Sequence, residues 1–433
     1  MKCSRRRPSP TPCRGSYIGS VFFPPPITLW GFLSQVLNED QSLQGAVARL
    51  IAFSLAKGQQ PPSANTAAYS NARGRLPLEV PLGLARQTGQ DLEAEVPEDW
   101  LWRGRHVKLM DGSTVSMPDT PENQAAYPQP RSQKAGVGFP IARLVAIISC
   151  STGALLDLAL GTYRGKGTGE HGLLRELMGN FQSGDVALGD AYYCSFFLIA
   201  LLMRMGVDAV FPMHGARDCD FRRGIRLGKK DHLVDWLKPQ RPQWMDQETY
   251  DSFPERIVVR EAEVRVERDG FRPKPRILVT TLLNPRQVGK QDLAGLYDFR
   301  WLCEIDLRAI KATMRMDILR GKTPEMVRKE IWVHLLAYNL IRKVMVQAAR
   351  RHHKKPRQLS FKLALQCIEA FRQSGLLASG NAHAYENLLL AIASKEVGNR
   401  PGRWEPRAVK RRPKPFPRLR QRRSRYHAER AAA

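Results

Sequence analysis

Between residues 107 and 213, short apolar runs of strand length alternate with runs of helical periodicity. No other feature constrains the fold as tightly. Val107-Lys108-Leu109-Met110 leads into Asp111-Gly112-Ser113, and alternation resumes to Met117. A strand, a turn or bulge at Asp111 and a second strand are expected there. Residues 143–149 and 154–160 read as the next strands, joined by Ser151-Thr152-Gly153. Residues 170–181 read as a helix, 185–190 as a short buried strand ending in a carboxylate, 196–205 as a helix and 207–213 as a strand. Strands interleaved with helices give an α/β core.

The flanks differ from this core. Residues 1–25 form a Pro- and Arg-rich leader expected to be disordered, and 26–98 read as a helical N-terminal domain. Residues 99–214 are the first part of the core. Residues 215–276 are polar, basic and alternating, a β-rich insertion, after which 277–350 return to the core. Helices are expected at about 291–317, 324–352, 360–376 and 383–396, with 351–398 as a C-terminal helical region. From Arg400 onward, 13 Lys and Arg face 2 Glu, so 399–433 are expected to be an unpacked basic tail. The whole chain carries 68 Lys and Arg against 41 Asp and Glu, a net charge of +27, which points to a polyanionic partner. The longest apolar run, Phe196 to Met203, would span about 12 Å as a helix, far short of the ~20 residues of a membrane crossing. The basic start lacks a signal peptide's apolar stretch, and the seven cysteines are scattered without a CxxC pair. A reducing, cytoplasmic setting is expected.

The richest motif is Tyr297-x2-Arg300-x3-Glu304-x6-Lys311. At about 100° per residue these four side chains fall within an arc of roughly 60° on one helix. Arg308 and Arg315 lie on or beside that stripe. A salt-bridge ladder is the plain structural alternative, with Glu304 and Arg308 an i,i+4 pair. The functional reading is that Glu304 holds a metal while Arg300, Arg308 and Lys311 hold phosphates. Two more carboxylates, Asp111 and Asp190, follow apolar strands, where an unpartnered charge is costly. Three carboxylates beside phosphate-ready cations suit Mg²⁺ or Mn²⁺, and two such ions serve phosphodiester chemistry.

Asp111-Gly112-Ser113, then Gly189-Asp190-Ala191-Tyr192-Tyr193, then the Y-R-E-K signature resembles the DDE transposases of bacterial insertion sequences, specifically the IS-four family. The resemblance covers about residues 102–340 and extends less specifically to Tyr69-Ser70-Asn71-Ala72-Arg73-Gly74-Arg75-Leu76. It implies an RNase H-like core with a β-rich insertion, and Asp111, Asp190 and Glu304 as the metal-binding catalytic triad. It implies that Tyr297, Arg300 and Lys311 contact transposon-end DNA. The expected activity is metal-dependent cleavage at inverted-repeat ends and transfer of the freed 3′-OH into target DNA. The partners would be double-stranded DNA and a second copy of the chain, in a bacterial cytoplasm at the nucleoid. An inactive DNA-binding derivative, a nuclease without strand transfer and a structural RNA-binding protein are the rivals, and the last leaves the Y-R-E-K face unexplained.

Other residues read less sharply. Gly161-Thr162-Tyr163-Arg164-Gly165-Lys166-Gly167-Thr168-Gly169 fails the phosphate-loop spacing and reads as a flexible basic turn. Glu170-His171 suits a helix start. Asp119 and Glu122 read as loop carboxylates, His352-His353 as a solvated basic run, and Trp236 and Trp244 as packing residues of the insertion.

Overall fold

The computed structural model describes residues 23–134, 136–165, 168–265, 275–376, 382–397 and 423–431. Residues 1–22 of the leader, Lys166 and Gly167, and 398–422 of the tail lie outside them. The chain divides into two compact units, Met1–Leu76 and Pro77–Ala433.

The first unit contains α1 (Pro25–Leu37), α2 (Leu43–Ala56) and α3 (Thr66–Arg75). Pro25 opens α1, where a missing N–H costs nothing. Ser42 and Asn65 cap α2 and α3 by accepting from the backbone N–H of Gly45 and Ala67. The apolar stripes of α1 and α2 are separated by a turn at 38–42, where buried Gln41 takes a positive φ of 51°. Phe23, inside the segment expected to be leader, packs against Tyr69 in the core of this unit. Tyr69 is a core residue whose hydroxyl donates to Gln35 Oε1 at 3.0 Å.

The second unit is built on a nine-stranded sheet of β1 (Val107–Ser116), β2 (Ile141–Ser149), β3 (Leu155–Thr162), β4 (Val186–Leu188), β5 (Asp208–Pro212), β6 (Ile225–Gly228), β7 (Asp231–Leu237), β8 (Arg256–Arg265) and β9 (Pro275–Thr280). Its helices are α4 (Glu79–Ala94), α5 (Pro121–Ala126), α6 (Glu170–Glu176), α7 (Phe196–Arg204), α8 (Gln247–Asp251), α9 (Lys290–Asp298), α10 (Arg300–Arg308), α11 (Pro324–Arg351), α12 (Phe361–Gln373), α13 (Ala382–Ala393) and α14 (Arg423–Ala431). The strand order is β3-β2-β1-β4-β5-β9-β8-β7-β6. β1, β2 and β3 form an antiparallel meander, whereas β1-β4 and β4-β5 are parallel pairs reached by crossovers through α6 and α7. This is the α/β core that the alternation of strands and helices predicts. Met110, Val145, Ile147, Leu173, Leu174, Ile199 and Phe211 share one apolar cluster on the α6–α7 side. Burying each large side chain there contributes about 1.5–3 kcal/mol.

Four sequence expectations are corrected. α4 packs on α11 and β3, and a Cβ at Gly89 would lie 2.1 Å from the Leu155 carbonyl, so the N-terminal domain expected to reach residue 98 stops at Leu76. Asp111 is not at a turn: β1 is one unbroken ten-residue strand, because β2 pairs with it from Lys108 to Ser116. The return to the core expected at residue 277 comes slightly earlier, since β9 begins at Pro275 and pairs with β5, and β8, β7 and β6 of the β-rich insertion extend the same sheet. The tail is not wholly unpacked, since Arg423 at the start of α14 holds Asp119 at 2.8 Å and donates to the Gly138 carbonyl at 2.6 Å.

Candidate active site

Strand register creates the site. β1 and β4 are parallel with Leu109 opposite Leu188, so two residues further along Asp111, still within β1, and Asp190, just past the end of β4, stand side by side. β4 ends at Leu188, which frees the second half of β1 on that side and opens the sheet where both carboxylates sit. Carboxyl ends of parallel strands at such a divergence are where α/β sheets bind ligands. Asp190 caps the turn 191–193 by accepting from the Tyr192 N–H at 2.8 Å. Asp111 Oδ1 accepts from the Gly112 N–H at 2.8 Å.

The third carboxylate arrives on α10. The continuous helix expected over 291–317 is instead α9, α10 and a π-helical turn at Ala309–Thr313. Such wide turns re-aim side chains and cluster at functional sites. Here the turn carries Lys311 to β1, where its Nζ donates to Ser113 Oγ at 2.9 Å. Ser113 stands two residues from Asp111 and shares its face of the strand. Glu304 pairs with Arg300 at 2.6 Å, with side chains 35% and 21% exposed. The expected Glu304–Arg308 pair is replaced by this one. Arg308 points outward and lies 5.9 Å from the Trp301 ring centroid. Arg315 leaves the stripe altogether, because the helix has ended and it takes a φ of 60°. Tyr297 is buried, with the Arg300 guanidinium 5.9 Å from its ring centroid.

The electrostatics tie these groups together. Burial pushes the Asp111 carboxyl up to about 6; the Gly112 N–H opposes this, Asp190 adds to it, Arg300 opposes it and Glu304 adds to it. Arg300 is raised: burial works against its charge, and the bond to Glu304 together with Tyr297 and Asp111 outweighs that penalty. Three carboxylates on three elements thus sense one another with one guanidinium among them. Hard, partly exposed oxygen donors of this kind fit divalent cations that keep water and phosphate ligands.

Two residues at the site were not found from the sequence. Glu170 reaches it from α6, accepting from the Tyr193 hydroxyl at 3.4 Å, and burial pushes its carboxyl up, with Arg143 opposing and Asp190 adding. A Cβ at Gly112 would lie 2.3 Å from the Glu170 carboxyl carbon, which explains the glycine beside Asp111. That glycine in mid-strand was the available signal. Asp306, fully buried on the far side of α10 from Glu304, binds Arg342 and, at 2.6 Å, Arg357. Arg357 in turn donates to the carbonyls of Ser149 and Cys150 at the end of β2. This network fixes the helix that carries Glu304.

Outside the site, Trp236 is buried and Trp244 is half exposed beneath the Arg175 guanidinium, 3.9 Å from its ring centroid. No helix among the described residues is long and apolar enough to cross a membrane.

A family model described as "Transposase DDE domain" matches residues 102–340. The transposase InsG for insertion sequence element IS4 of Escherichia coli (strain K12) is 28% identical over 400 residues, covering 90% of this chain and 86% of that protein. The putative transposase InsZ of the same strain is 29% identical over 144 residues, 33% of this chain and 46% of that one. Among solved structures, a piggyBac transposase synaptic complex with hairpin DNA aligns with 88% of this chain and 79% of its own at 9% identity and a TM-score of 0.44.

Proposed function

Since the chain belongs to the DDE transposase family and is a DNA transposase, we propose that Asp111, Asp190 and Glu304 hold its divalent metal ions while Tyr297, Arg300 and Lys311 grip the phosphates beside the scissile bond. Enzymes of this family use divalent metal ions, and here the proposed pair is Mg²⁺ or Mn²⁺, which the all-oxygen donor set suits. When bound, two such ions activate the attacking oxygen and stabilise the leaving one. The observation that carries the proposal is the meeting of the three carboxylates. Asp111 and Asp190 stand in parallel register, and Asp111 feels both Asp190 and Glu304.

The chain's own residues divide the remaining work. Arg300 neutralises Glu304, and its guanidinium would be released to a phosphate if that carboxylate held a cation. Lys311, held near Asp111 through Ser113, presents an ammonium to the same backbone. Tyr297 orients Arg300 from below, and Arg308 with Trp301 makes an outer DNA contact. Cleavage breaks the P–O bond at the repeat end by attack of water and leaves a 3′-OH. That 3′-OH then attacks a target phosphate, and the target 3′-oxygen leaves. The helical unit before Leu76 binds the transposon end, and joining two ends calls for a dimer on DNA, working on the bacterial chromosome in the cytoplasm.

The test is cleavage of labelled DNA bearing the terminal repeats that flank its own gene. Wild type is compared with Asp190→Ala and Glu304→Ala in Mg²⁺. Metal-dependent cutting at the repeat ends, lost in both variants, is expected. Cutting that ignores the repeats would overturn end recognition. Specific binding without cutting in any variant would overturn the catalytic assignment.

A further inference from the structure

A second cluster lies in the sheet extension. His232 on β7 and Glu261 on β8 are cross-strand partners, so they share a face. Cys219 comes down on them from the loop after β5. The three ligand atoms, Sγ, Nε2 and a carboxylate oxygen, all lie within 4.8 Å of one another. His232 and Glu261 are buried, and Cys219 is partly exposed.

The hydrogen bonds of this cluster leave a positive charge to be supplied. His232 Nδ1 lies 2.7 Å from the Arg223 carbonyl oxygen, which only accepts, so Nδ1 carries a proton. In the neutral ring, Nε2 is then a lone pair. It faces Glu261 Oε2, another acceptor, at 2.9 Å. Glu261 Oε1 already accepts from the Trp236 Nε1–H at 2.8 Å. Two acceptors at 2.9 Å need a proton between them, on the ring or on the carboxyl, or a metal ion. Cys219 Sγ, 3.9 Å from Nε2, adds a third donor to the same point.

We infer that Cys219, His232 and Glu261 bind a zinc ion that fastens the loop after β5 to the sheet extension. A tetrahedral zinc sets N, O and S ligands roughly 3.3–3.6 Å apart, and the separations of 2.9 and 3.9 Å bracket that range. Each buried ligand already has the outer partner that metal sites use: a backbone carbonyl on the far nitrogen of the histidine and an indole N–H on the second oxygen of the carboxylate. The charges also balance, since a thiolate and a carboxylate cancel Zn²⁺. Binding displaces the thiol proton, and any proton between Nε2 and the Glu261 carboxyl, to solvent. Three protein ligands leave a fourth position for water or an incoming group.

The location suggests what the ion does. Arg217, two residues before Cys219, stacks on Trp236 at 3.7 Å from its ring centroid. Cys194, at the end of the turn that Asp190 caps, meets the backbone of His214 in the same loop. Fixing Cys219 therefore fixes the loop behind the Asp190 turn.

The test is zinc content and affinity of the full chain, with Co²⁺ as the spectroscopic probe. Wild type is expected to retain one zinc per chain after dialysis against a weak chelator, and its Co²⁺ form to show thiolate charge-transfer absorption. Cys219→Ser, at the partly exposed position, should remain folded by circular dichroism and lose both signals. Trp236→Phe, which removes the indole N–H from Glu261 and keeps an aromatic ring for Arg217, should weaken binding ~10-fold. Asp111→Ala and Glu304→Ala should keep the zinc, which separates this site from the catalytic carboxylates. Zinc should also slow proteolysis of the 213–224 loop in wild type and not in Cys219→Ser. A wild-type chain that holds no zinc at micromolar free metal overturns the inference and leaves a proton between His232 and Glu261 in its place. Unchanged affinity in Cys219→Ser overturns it equally.

Discussion

Replacing Asp111 by asparagine should stabilise the metal-free protein at neutral pH while destroying its metal response. The Asp111 carboxyl titrates near 6 in the folded chain against an ordinary 3.8, so the folded state holds a proton that the unfolded state has already lost. The stability this group contributes is complete below about pH 4 and is lost as pH rises through 6. A shift of about two pKa units corresponds to about 3 kcal/mol. Asp111 is mostly buried, so solvent screening removes little of this. The substituted asparagine keeps an Oδ1 to accept the Gly112 N–H and carries no charge. Denaturant unfolding with chelator present, at about pH 4 and about pH 7.5, isolates the effect as the wild-type minus variant difference. That difference should be small at the acid pH and should favour the variant by about 3 kcal/mol at the higher one. Adding Mn²⁺ at the higher pH should raise the wild-type midpoint and leave the variant nearly unmoved. A difference independent of pH, or a variant less stable than wild type without metal, would refute the burial that, reinforced by Asp190 and Glu304, holds the Asp111 carboxyl up. Equal stabilisation by Mn²⁺ in both would refute its role as a ligand.

Arg300→Ala should change stability by only about 0.2–1 kcal/mol, because its pair with Glu304 is partly exposed. It should tighten Mn²⁺ binding in the DNA-free enzyme, weaken end-DNA binding and lower the salt slope by about 1, read by metal titration and by binding at several salt concentrations. Asp306→Ala should cost about 3–5 kcal/mol, since it strands Arg342 and Arg357 in the interior, and should lower the thermal midpoint and soluble yield. Gly112→Ala should cost about 1–3 kcal/mol and reduce cleavage by pushing Glu170 off Tyr193. Adding Glu170→Ala should recover part of both losses, and strict additivity in that double-mutant cycle would show that the two positions do not meet.

The parts of the site that were legible in the sequence are those set by short-range geometry. Tyr297, Arg300, Glu304 and Lys311 were read as one stripe because a helix repeats every 3.6 residues, whereas the wide turn at Ala309–Thr313 that carries Lys311 to Ser113 was not legible. Asp190 was legible as the residue where a three-residue strand runs out. Asp111 was legible as a candidate but not as a mid-strand residue. A turn and a continuing strand look alike at Asp-Gly, and what keeps β1 straight is the run of bonds to β2, which lies well downstream in the chain. Arg308 shows the same limit from the other side. Its angle on the helix was right, yet its side chain lies by Trp301 because Arg300 had already taken Glu304.

The residues that stayed hidden are those whose partners are distant in the chain and whose types have an everyday use. Glu170 opens a helix, as glutamates often do, and only the sheet brings it against Gly112. Asp306 is one more acid on a charged helix until Arg342 and Arg357 converge on it. Cys219, His232 and Glu261 have no metal-motif spacing, because two of them meet through antiparallel register and the third through a loop. Charge composition misled in the same way at α14, where a basic run supplies an arginine that fits Asp119. In each case a charged or ligating side chain has been withdrawn from water into an arrangement that the sequence spacing does not encode. Desolvation makes such a choice expensive unless the partner is in place, so the partners found in the structure define the function of these residues more sharply than their position along the chain.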